Sequence, residues 1–195
     1  MLSQLRASVV MMALFTLVFG LAYPLAMTGV AGLVFPAQAG GSLVRDAKGQ
    51  VIGSALIAQG FAKPEYLHPR PSAAGNGYDP MNSSGSNLGP LDQKLIDRVK
   101  GDATTIAKDD GPGIIPADAL TTSCSGLDPD VTPENAHLQA ARIAAHRGAT
   151  VSEVLAVIDG ETHQPVLGFI GESTVNVLAV NRALDARYPV AQPKA

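Results

Sequence analysis

The stretch ASVVMMALFTLVFGLAYPLAM, residues 7–27, decides the fold class of this chain. It contains no Asp, Glu, Lys or Arg, and the charge-free region continues to residue 44. A helix needs about 20 apolar residues to cross the hydrocarbon core of a bilayer, so the stretch predicts one transmembrane helix. Pro24 is expected to kink or end this helix near its far side, and Tyr23 suits the membrane–water interface.

The charges around this helix predict its orientation. Arg6 and the terminal amine precede it, and the next charged residue is Arg45. Positive charge favours the cytoplasmic side, which puts the N-terminus inside the cell and the rest of the chain outside. A cleaved signal peptide is the alternative, because Ala37-Gln38-Ala39 resembles an A-x-A cleavage site. A signal peptide's apolar region has ~7–15 residues, and the longer region here favours a retained anchor.

The rest of the chain has the composition of a small polar domain. The 195 residues carry 14 Lys and Arg against 17 Asp and Glu, a net charge of −3, and all of these except Arg6 lie at residue 45 or beyond. An acidic balance without a basic stripe argues against nucleic acid as a partner, and the single cysteine, Cys124, excludes an internal disulfide. The predicted organisation is a cytoplasmic N-terminus at 1–6, the transmembrane helix at 7–27, a connection at 28–49, an extracytoplasmic α+β (mixed α/β) domain at 50–190 and a tail at 191–195.

Hydrophobic periodicity and capping residues predict the elements of this domain. Strands are expected at 51–58 and 166–170, and a short turn with a strand is expected within 114–125. Helices are expected over four stretches: 90–106, 133–147 with Thr132 as N-cap and Gly148 as its end, the segment that follows a Thr150/Glu153 capping box, and 175–186.

The segment 61–90 is dense in Pro, Gly, Ser and Asn, and no regular helix fits it. A loop of this length is disordered or functional in most domains, and its aromatic side chains favour an ordered one. Two prolines stiffen HPRPS at 68–72, which holds His68 and Arg70 in a fixed geometry suited to docking a partner. The equal alternative is a structural loop in which Arg70 bonds carbonyl groups of its own domain.

The sequence has none of the nucleotide-binding loops or hydrolase motifs that carry a recognisable mechanism. The Gly/Ser-rich run 83–89 suits either an anion held by backbone amides or a loop that needs unusual backbone angles. His137 and His146 lie on opposite faces of one predicted helix, so no metal site is predicted. Asp128 and Asp130 precede a helix N-terminus, where the helix dipole stabilises carboxylates.

A set of motifs runs in order through most of the chain. They are YPL at 23–25, GF at 60–61 leading to Pro64, HPRPSA at 68–73, YDP at 78–80, SSGSNLGP at 83–90, SGLDP at 125–129, RG at 147–148, GE at 171–172 and VNVL at 175–178. On these motifs the sequence resembles the KdpC family, the C chain of the Kdp potassium-transporting ATPase. It departs from the family at Cys124, where Gly is usual, and at Asp130, where His is frequent.

The resemblance implies an accessory subunit, without catalysis of its own, of a four-chain pump that imports potassium with high affinity. Its partners would be the potassium-selective A chain, the P-type ATPase B chain and the small F chain, within the lipid of the inner membrane. The resemblance also implies a chaperone-like role that assists assembly and raises the affinity of the B chain for ATP. Potassium would be the transported ion, and ATP would act through the complex instead of as a cofactor of this chain.

Two sets of candidate site residues follow. The candidates for partner contact are Tyr66, His68, Arg70, Tyr78 and Asn87. SCSGLD at 123–128 is loosely similar to the signature motif of ABC transporters, and the candidates for a nucleotide contact are Ser123, Ser125, Gly126 and Gln139. A domain outside the membrane would not meet cytoplasmic ATP, which favours an indirect effect or a role near the extracytoplasmic mouth of the A chain.

Two other functions stay open at this point. The first is a stand-alone binding protein or enzyme tethered outside the membrane, which requires a pocket with convergent polar groups near 61–90. The second is direct binding of ATP by the domain. A potassium pore formed by this chain alone is excluded, because the sequence has one span and no TVGYG-like filter.

Overall fold

The computed structural model of this chain describes residues 2–190, with side chains from residue 4 onward. The chain divides into two compact units, Met1–Ile52 and Gly53–Ala195. Residue 1 of the predicted cytoplasmic N-terminus and the predicted tail at 191–195 lie outside the described residues. Helices and strands are both present, and one helix is long and apolar enough to cross a membrane, in agreement with a mixed fold that has a single anchor.

The first unit is dominated by a helix that does not end at Pro24. Helix α1, Leu2–Phe15, passes into a π-helical segment, Thr16–Ala22, and then into α2, Tyr23–Val34. A proline lacks an N–H and its ring crowds the carbonyl four residues earlier. The turn before Pro24 is therefore widened, and the Tyr23 N–H donates to the carbonyl of Val18, five residues back.

The stretch of this helix that is long and apolar enough to cross a membrane includes the predicted 7–27. It covers Gln4–Val34, 31 residues, which corresponds to about 46 Å of helix against about 30 Å of hydrocarbon. The short helix α3, Pro36–Ala39, follows, and strands β1, Leu43–Arg45, and β2, Val51–Ser54, form a two-stranded sheet. The predicted strand at 51–58 is thus confirmed for its first four residues, and β1 lies within the segment predicted as a connection.

The second unit contains the helices that the periodicity predicts. Helix α4, Gln93–Asp109, begins after the N-cap Asp92, so it starts later than Pro90. The stretch 133–147 forms two helices, α6, Pro133–Leu138, and α7, Ala140–Arg147. The C-cap of α7 is Gly148, which has a φ of +65°. The N-cap Thr132 accepts a hydrogen bond from the Asn135 N–H, as expected.

The last two helices of this unit also agree with the sequence. Helix α8, Val151–Gly160, starts with the predicted capping box, in which Thr150 and Glu153 bond each other's backbone N–H groups. Helix α9, Val177–Arg187, matches the prediction at 175–186, with its first two predicted residues placed in a strand instead. Asn176 caps this helix by accepting from the Ala179 N–H at 3.1 Å.

Two strand predictions are wrong. The stretch 166–170 is a tight turn closed by a single bridge between Val166 and Ile170, because Pro165, Gly168 and Gly171 fit a turn and interrupt a ladder. The stretch 114–125 contains the short helix α5, Ala117–Leu120, and no strand.

The sheet of the second unit is small and antiparallel. Its strands are β3, Asp130–Val131, β4, Thr162–His163, and β5, Thr174–Asn176, in the order β3-β5-β4. Val175 at the centre is paired with Val131 on one side and with Thr162 on the other.

Helices α6 to α9 supply most of the core that covers this sheet. The buried cluster consists of Leu67, Val131, Ala136, Ala140, Ile143, Ala144, Val154, Val157, Ile158, Val175, Val177, Val180 and Leu184. Leu67 is the one member from the Pro/Gly-rich segment, and its side chain is fully buried. This burial fixes the middle of the segment on the core and positions the residues on either side of it.

Candidate functional site

Two side-chain amides bond the backbone N–H and carbonyl groups of residues 67 and 68, as a neighbouring β-strand would. Asn181 on α9 accepts from the Leu67 N–H at 2.8 Å, and its Nδ2 donates to the Leu67 carbonyl at 2.9 Å. Gln139, between α6 and α7, makes the same pair of bonds with His68, at 2.8 and 3.2 Å. Both amide side chains are buried. The backbone of the segment predicted for partner docking is therefore held by its own domain.

Arg142 on α7 binds the same segment from a second direction. Its Nη1 donates to the carbonyls of Pro64 and Tyr66, and its Nη2 donates to Oε1 of Gln139 at 2.7 Å. Its Nε donates to Oδ1 of Asp110 at 2.8 Å, and the two paired side chains are 5% and 7% exposed. A buried ion pair is tolerated when further hydrogen bonds satisfy the charged groups, and here the loop carbonyls provide them.

Arg147 makes a third set of contacts with the segment. Its Nε donates to the carbonyl of Glu65 at 2.7 Å, and its Nη2 donates to Oδ1 of Asp185 at 2.9 Å. Its guanidinium lies 5.0 Å from the centre of the Tyr66 ring, a cation–π geometry. The Tyr66 hydroxyl donates to Oδ2 of Asp185 at 3.3 Å. Burial raises the pKa of Tyr66 most, and the negative charge of Asp185 raises it further, so this hydroxyl keeps its proton.

Arg70 also bonds within its own domain. Its Nη1 donates to Oδ2 of Asp128 at 2.8 Å, and its Nε donates to the carbonyl of Thr121 at 3.4 Å. The Arg70 carbonyl accepts from the Tyr78 hydroxyl at 2.8 Å, and burial raises the pKa of Tyr78 to about 12. These contacts agree with the structural-loop alternative for Arg70, while its contact with a partner stays a prediction.

Ser72 joins the 61–90 segment to the 123–128 segment. Its hydroxyl donates to the carbonyl of Gly126 at 2.7 Å and accepts from the N–H groups of Ala74 and Tyr78. A Cβ on Gly126 would lie 2.6 Å from the carbonyl oxygen of Ser84, and the φ of Gly126 is +66°. Only glycine fits this close approach without strain, which gives Gly126 a structural role.

The nucleotide-contact candidates fall into two groups. Ser123 and Ser125 share the turn around Gly126, with their hydroxyl oxygens 3.3 Å apart, and the Ser125 carbonyl accepts from the Ser84 N–H at 3.0 Å. Gln139 makes its hydrogen bonds with other residues, in the buried network around His68. A nucleotide contact through either group stays a prediction.

A cavity of about 510 Å³ lies between the 60–71 segment and helix α4. Its lining consists of Gly60, Phe61, Ala62, His68, Pro69, Pro71, Tyr78, Asp102, Thr105, Ile106, Asp110, Ala119, Asn135, Leu138 and Gln139. Burial lowers the pKa of His68 most, and the positive charge of Arg142 lowers it further. The His68 Nε2 donates to the Lys63 carbonyl at 3.0 Å. The cavity thus combines apolar walls with neutral polar groups and two carboxylates, Asp102 and Asp110, which pair with Arg98 and Arg142. Its size and mixed lining suit a small molecule.

A second, wider cavity and a small acidic one share Arg70. The small one measures about 180 Å³ and is lined by Arg70, Asp118, Asp128, Asp130, Val131, Thr132, Glu172, Ser173 and Thr174. Asp118 there accepts from the N–H and hydroxyl of Thr132, at 2.8 and 3.0 Å. Three of these carboxylates therefore have structural partners: Asp118 bonds Thr132, Asp128 pairs with Arg70, and Asp130 accepts from Asn176.

The histidines have separate contacts. His137 Nε2 lies 2.7 Å from Oδ1 of Asp159, and His146 Nδ1 donates to the carbonyl of Arg142 at 2.9 Å. Within the part of the chain that the structure describes, no group of three or more His, Cys, Asp or Glu is arranged to hold a metal ion.

Of the five candidates for partner contact, Asn87 is the exposed one. It has a φ of +53°, a conformation that asparagine tolerates better than most residues, and its side chain faces solvent. Tyr66, His68, Arg70 and Tyr78 are each half-buried.

Sequence reasoning missed Arg142, Arg147 and Asn181, which hold the loop. A signal was present, because Asn181 lies four residues after Val177 and three before Leu184, on the buried stripe of α9. A polar residue on a buried face needs partners, which predicts a hydrogen bond to a neighbouring segment without saying which one.

Comparisons with known proteins give a consistent result. The model of the KdpC family, described as "K+-transporting ATPase, c chain", matches residues 5–186. Similar proteins named "Potassium-transporting ATPase KdpC subunit" include one from Caulobacter sp. (strain K31), 62% identical over 97% of this chain and 96% of the relative. One from Beijerinckia indica is 52% identical over 99% and 98%, and one from Myxococcus xanthus is 50% identical over 96% and 88%.

Proposed function

This chain belongs to the KdpC family, the c chain of the K+-transporting ATPase, and from that premise we propose that it is an accessory subunit of an ATP-driven, high-affinity potassium importer. It assists assembly of the complex and raises the affinity of the catalytic subunit for ATP. Its partners are the potassium-selective A chain, the ATPase B chain and the small F chain. Potassium is the ion that the complex moves.

The observation that carries this proposal is the exposed apolar helix. Large apolar side chains from Leu5 to Val34 lie on its surface, and the apolar part extends over 31 residues. Such a surface is stable in lipid or against other apolar helices, and unstable in water. A chain with this helix and a folded second unit suits a membrane subunit that contributes one span to a larger assembly.

The proposed topology is a single pass in the inner membrane, with the N-terminus in the cytoplasm and the second unit outside. Arg6, at the N-terminal end of the apolar helix, is the one charged side chain before Arg45, and positive charge favours the cytoplasmic side. With this topology the second unit does not meet cytoplasmic ATP. The effect on ATP affinity is therefore transmitted through the other subunits, as a coupling between distant sites.

The single cysteine provides the test of this topology. Cys124 is exposed, so a membrane-impermeant maleimide should label it in intact spheroplasts without prior lysis. A Cys124→Ser variant controls for non-specific labelling, and Ser3→Cys in that background, within the predicted cytoplasmic segment 1–6, reports the opposite side. Labelling of Cys124 that requires lysis would contradict the topology.

The functional test uses the whole complex. Co-expression with the other subunits should allow an affinity tag on this chain to recover them from detergent. Complex assembled without this chain should have a KM for ATP higher on the order of tenfold, the usual scale of coupling between sites. Unchanged KM together with unchanged assembly would contradict the proposed role.

A second candidate function rests on the cavity of about 510 Å³ beside His68 and Gln139. It meets the requirement of a ligand-binding protein for a pocket near the 61–90 segment. Native mass spectrometry of the purified full-length chain would detect a retained small molecule. The Ile106→Trp variant fills the cavity from α4 and should release it, while the exposed-site variant Ile114→Trp should not.

A further inference from the structure

The turn at 166–170 carries the densest cluster of exposed apolar side chains in the second unit. Val166, Leu167, Phe169 and Ile170 are 66%, 78%, 75% and 53% exposed. Other exposed apolar residues of this unit, such as Met81 and Ile114, are isolated along the chain. Single exposed apolar residues are normal on a protein surface, whereas a contiguous apolar patch marks an interaction site.

The backbone of this turn is fixed. The Val166 N–H donates to the Ile170 carbonyl at 3.1 Å, the Ile170 N–H donates back at 3.0 Å, and the Gly168 N–H donates to the Pro165 carbonyl at 2.9 Å. Leu167 has a φ of +56°, a conformation that is unfavourable for leucine. The turn therefore presents its side chains in one geometry, and little conformational entropy is lost when a partner covers them.

The charges around the turn favour a protein partner over a lipid surface. No Asp, Glu, Lys or Arg occurs from residue 162 to 171, and the flanking charged residues are Glu161 and Glu172. Glu172 also lines the small cavity with Asp118, Asp128, Asp130 and one cation, Arg70, so the carboxylates there outnumber the cation. Attraction to anionic membranes depends on Lys and Arg, and the carboxylates here have the opposite effect. They complement a basic rim on another protein.

We propose that the 166–170 turn is an apolar anchor that inserts into an apolar socket with a basic rim on another subunit of the K+-transporting ATPase. This inference rests on the proposed function, which supplies the partner. Rigid apolar and aromatic side chains at the centre of an interface carry most of its binding energy. Leu167 and Phe169, the most exposed pair of the turn, are the central contacts of this anchor.

The first experiment uses the Leu167→Asn/Phe169→Ser double variant in the co-expressed complex. Asparagine suits the positive φ at 167, so the turn is retained while its apolar surface is removed. The complex is captured through a tag on another subunit and then diluted into detergent buffer. The half-life for dissociation of the double variant from the complex should be at least about tenfold shorter than that of the unmodified chain. The reason is that each buried Leu or Phe contributes about tenfold or more in affinity.

The matched control is Met81→Ser/Ile114→Ser, which removes comparable apolar surface elsewhere, at residues 87% and 95% exposed. Its half-life on the complex should equal that of the unmodified chain. Equal half-lives for the turn variant and the unmodified chain would overturn the anchor and leave the proposed function intact. Failure of the unmodified chain to be captured would contradict the proposed function itself.

The second experiment distinguishes the protein socket from lipid. An environment-sensitive fluorophore is attached at Val166→Cys in a Cys124→Ser background, which keeps Leu167 and Phe169, and the full-length chain is reconstituted in vesicles of zwitterionic and anionic lipid. Its emission should shift to the blue when the other subunits are present, without quenching by spin-labelled lipid. Quenching by that lipid, with or without the other subunits, would overturn the proposal in favour of a lipid contact.

Discussion

Two loops of the second unit differ in composition and in solvent exposure: one is polar and fixed to the core, and the other is apolar and exposed. The 61–72 segment is rich in Pro and polar residues, yet Arg142, Arg147, Gln139 and Asn181 fix it to the core. The 166–170 turn is apolar, yet its side chains are exposed and its described hydrogen bonds are within its own backbone. In this domain the polar loop is held by internal contacts, and the apolar turn exposes the side chains that we propose bind a partner. Partner contact through the polar loop stays a prediction.

The difference shows that a polar segment stiffened by prolines is also fixed by contacts within its own domain. Polar groups of the 64–72 backbone are satisfied by buried side chains, and a partner that competed for them would have to break those bonds first. An exposed apolar side chain has no such competition, because covering it removes it from water. Variants of the two loops should therefore affect different properties, stability for the first and association for the second.

The largest effect is expected from Arg142→Met. It removes four hydrogen bonds to the loop, to Gln139 and to Asp110, and it leaves the 7% exposed Asp110 carboxylate without its cation. Removal of one partner of a buried ion pair costs about 3–5 kcal/mol. Urea unfolding of the detergent-solubilised chain, followed by circular dichroism, should give a loss of this size in the free energy of unfolding.

Two companion variants test the cause of this loss. Arg182→Met changes an exposed arginine on α9 and should alter stability by less than about 0.5 kcal/mol. The double variant Arg142→Met/Asp110→Leu removes both charges and should recover part of the loss. A loss below about 1 kcal/mol for Arg142→Met would contradict the role of this residue in fixing the loop.

The next largest effect is expected from Asn181→Ala. It leaves the buried N–H and carbonyl of Leu67 without the partners that now lie at 2.8 and 2.9 Å. A buried group left unsatisfied costs about 1–3 kcal/mol, so we expect a loss of about 2–4 kcal/mol. The measurement is the same urea titration, with hydrogen exchange of the Leu67 amide as a local probe. Unchanged protection of that amide would contradict the pairing.

The sequence predicted the helices of this chain well and its strands poorly. The capping box at Thr150 and Glu153 and the glycine stop at Gly148 are local signals, since each depends on residues within one turn. The strands have two to four residues each, too short for a periodicity of two to be recognised. The apolar run 166–170 predicts a buried strand, because local sequence does not show whether apolar side chains are exposed. Their exposure depends on the tertiary structure.

The partners of the Pro/Gly-rich segment could not be predicted for the same reason. The sequence indicates that the segment is ordered and that Arg70 has either an internal or an external partner. The choice depends on contacts such as Arg142 with Tyr66, 76 positions apart, which no local pattern encodes. The family resemblance was readable because its motifs are local runs, and the match over 5–186 confirms it.

A smaller effect is expected from pH at His68. Burial and then Arg142 lower its pKa below the usual 6.5, so as pH falls the unfolded chain binds a proton before the folded chain does. This contribution to stability is complete above about pH 6.5 and is lost as the pH falls from there through the folded-state pKa. The urea midpoint of the unmodified chain should fall between pH 7 and 5.5 more than that of His68→Gln.

The control for this prediction is His163→Gln, which changes a solvent-exposed histidine and should keep the pH dependence of the unmodified chain. His68→Gln keeps a donor for the Lys63 carbonyl, so stability at pH 7 should change little. Identical pH profiles for the unmodified chain and His68→Gln would contradict the lowered pKa of His68.

The smallest effect on stability is expected from Leu167→Asn. The leucine side chain is 78% exposed and its φ is +56°, so its removal breaks no buried contact and asparagine adopts the backbone conformation more readily. The free energy of unfolding should change by less than about 0.5 kcal/mol. In contrast, Gly168→Ala places a Cβ at φ +80° and should cost about 1 kcal/mol. If Leu167→Asn destabilised the chain as much as Asn181→Ala, the turn would be part of the core architecture, and the division between a structural loop and a binding turn would fail.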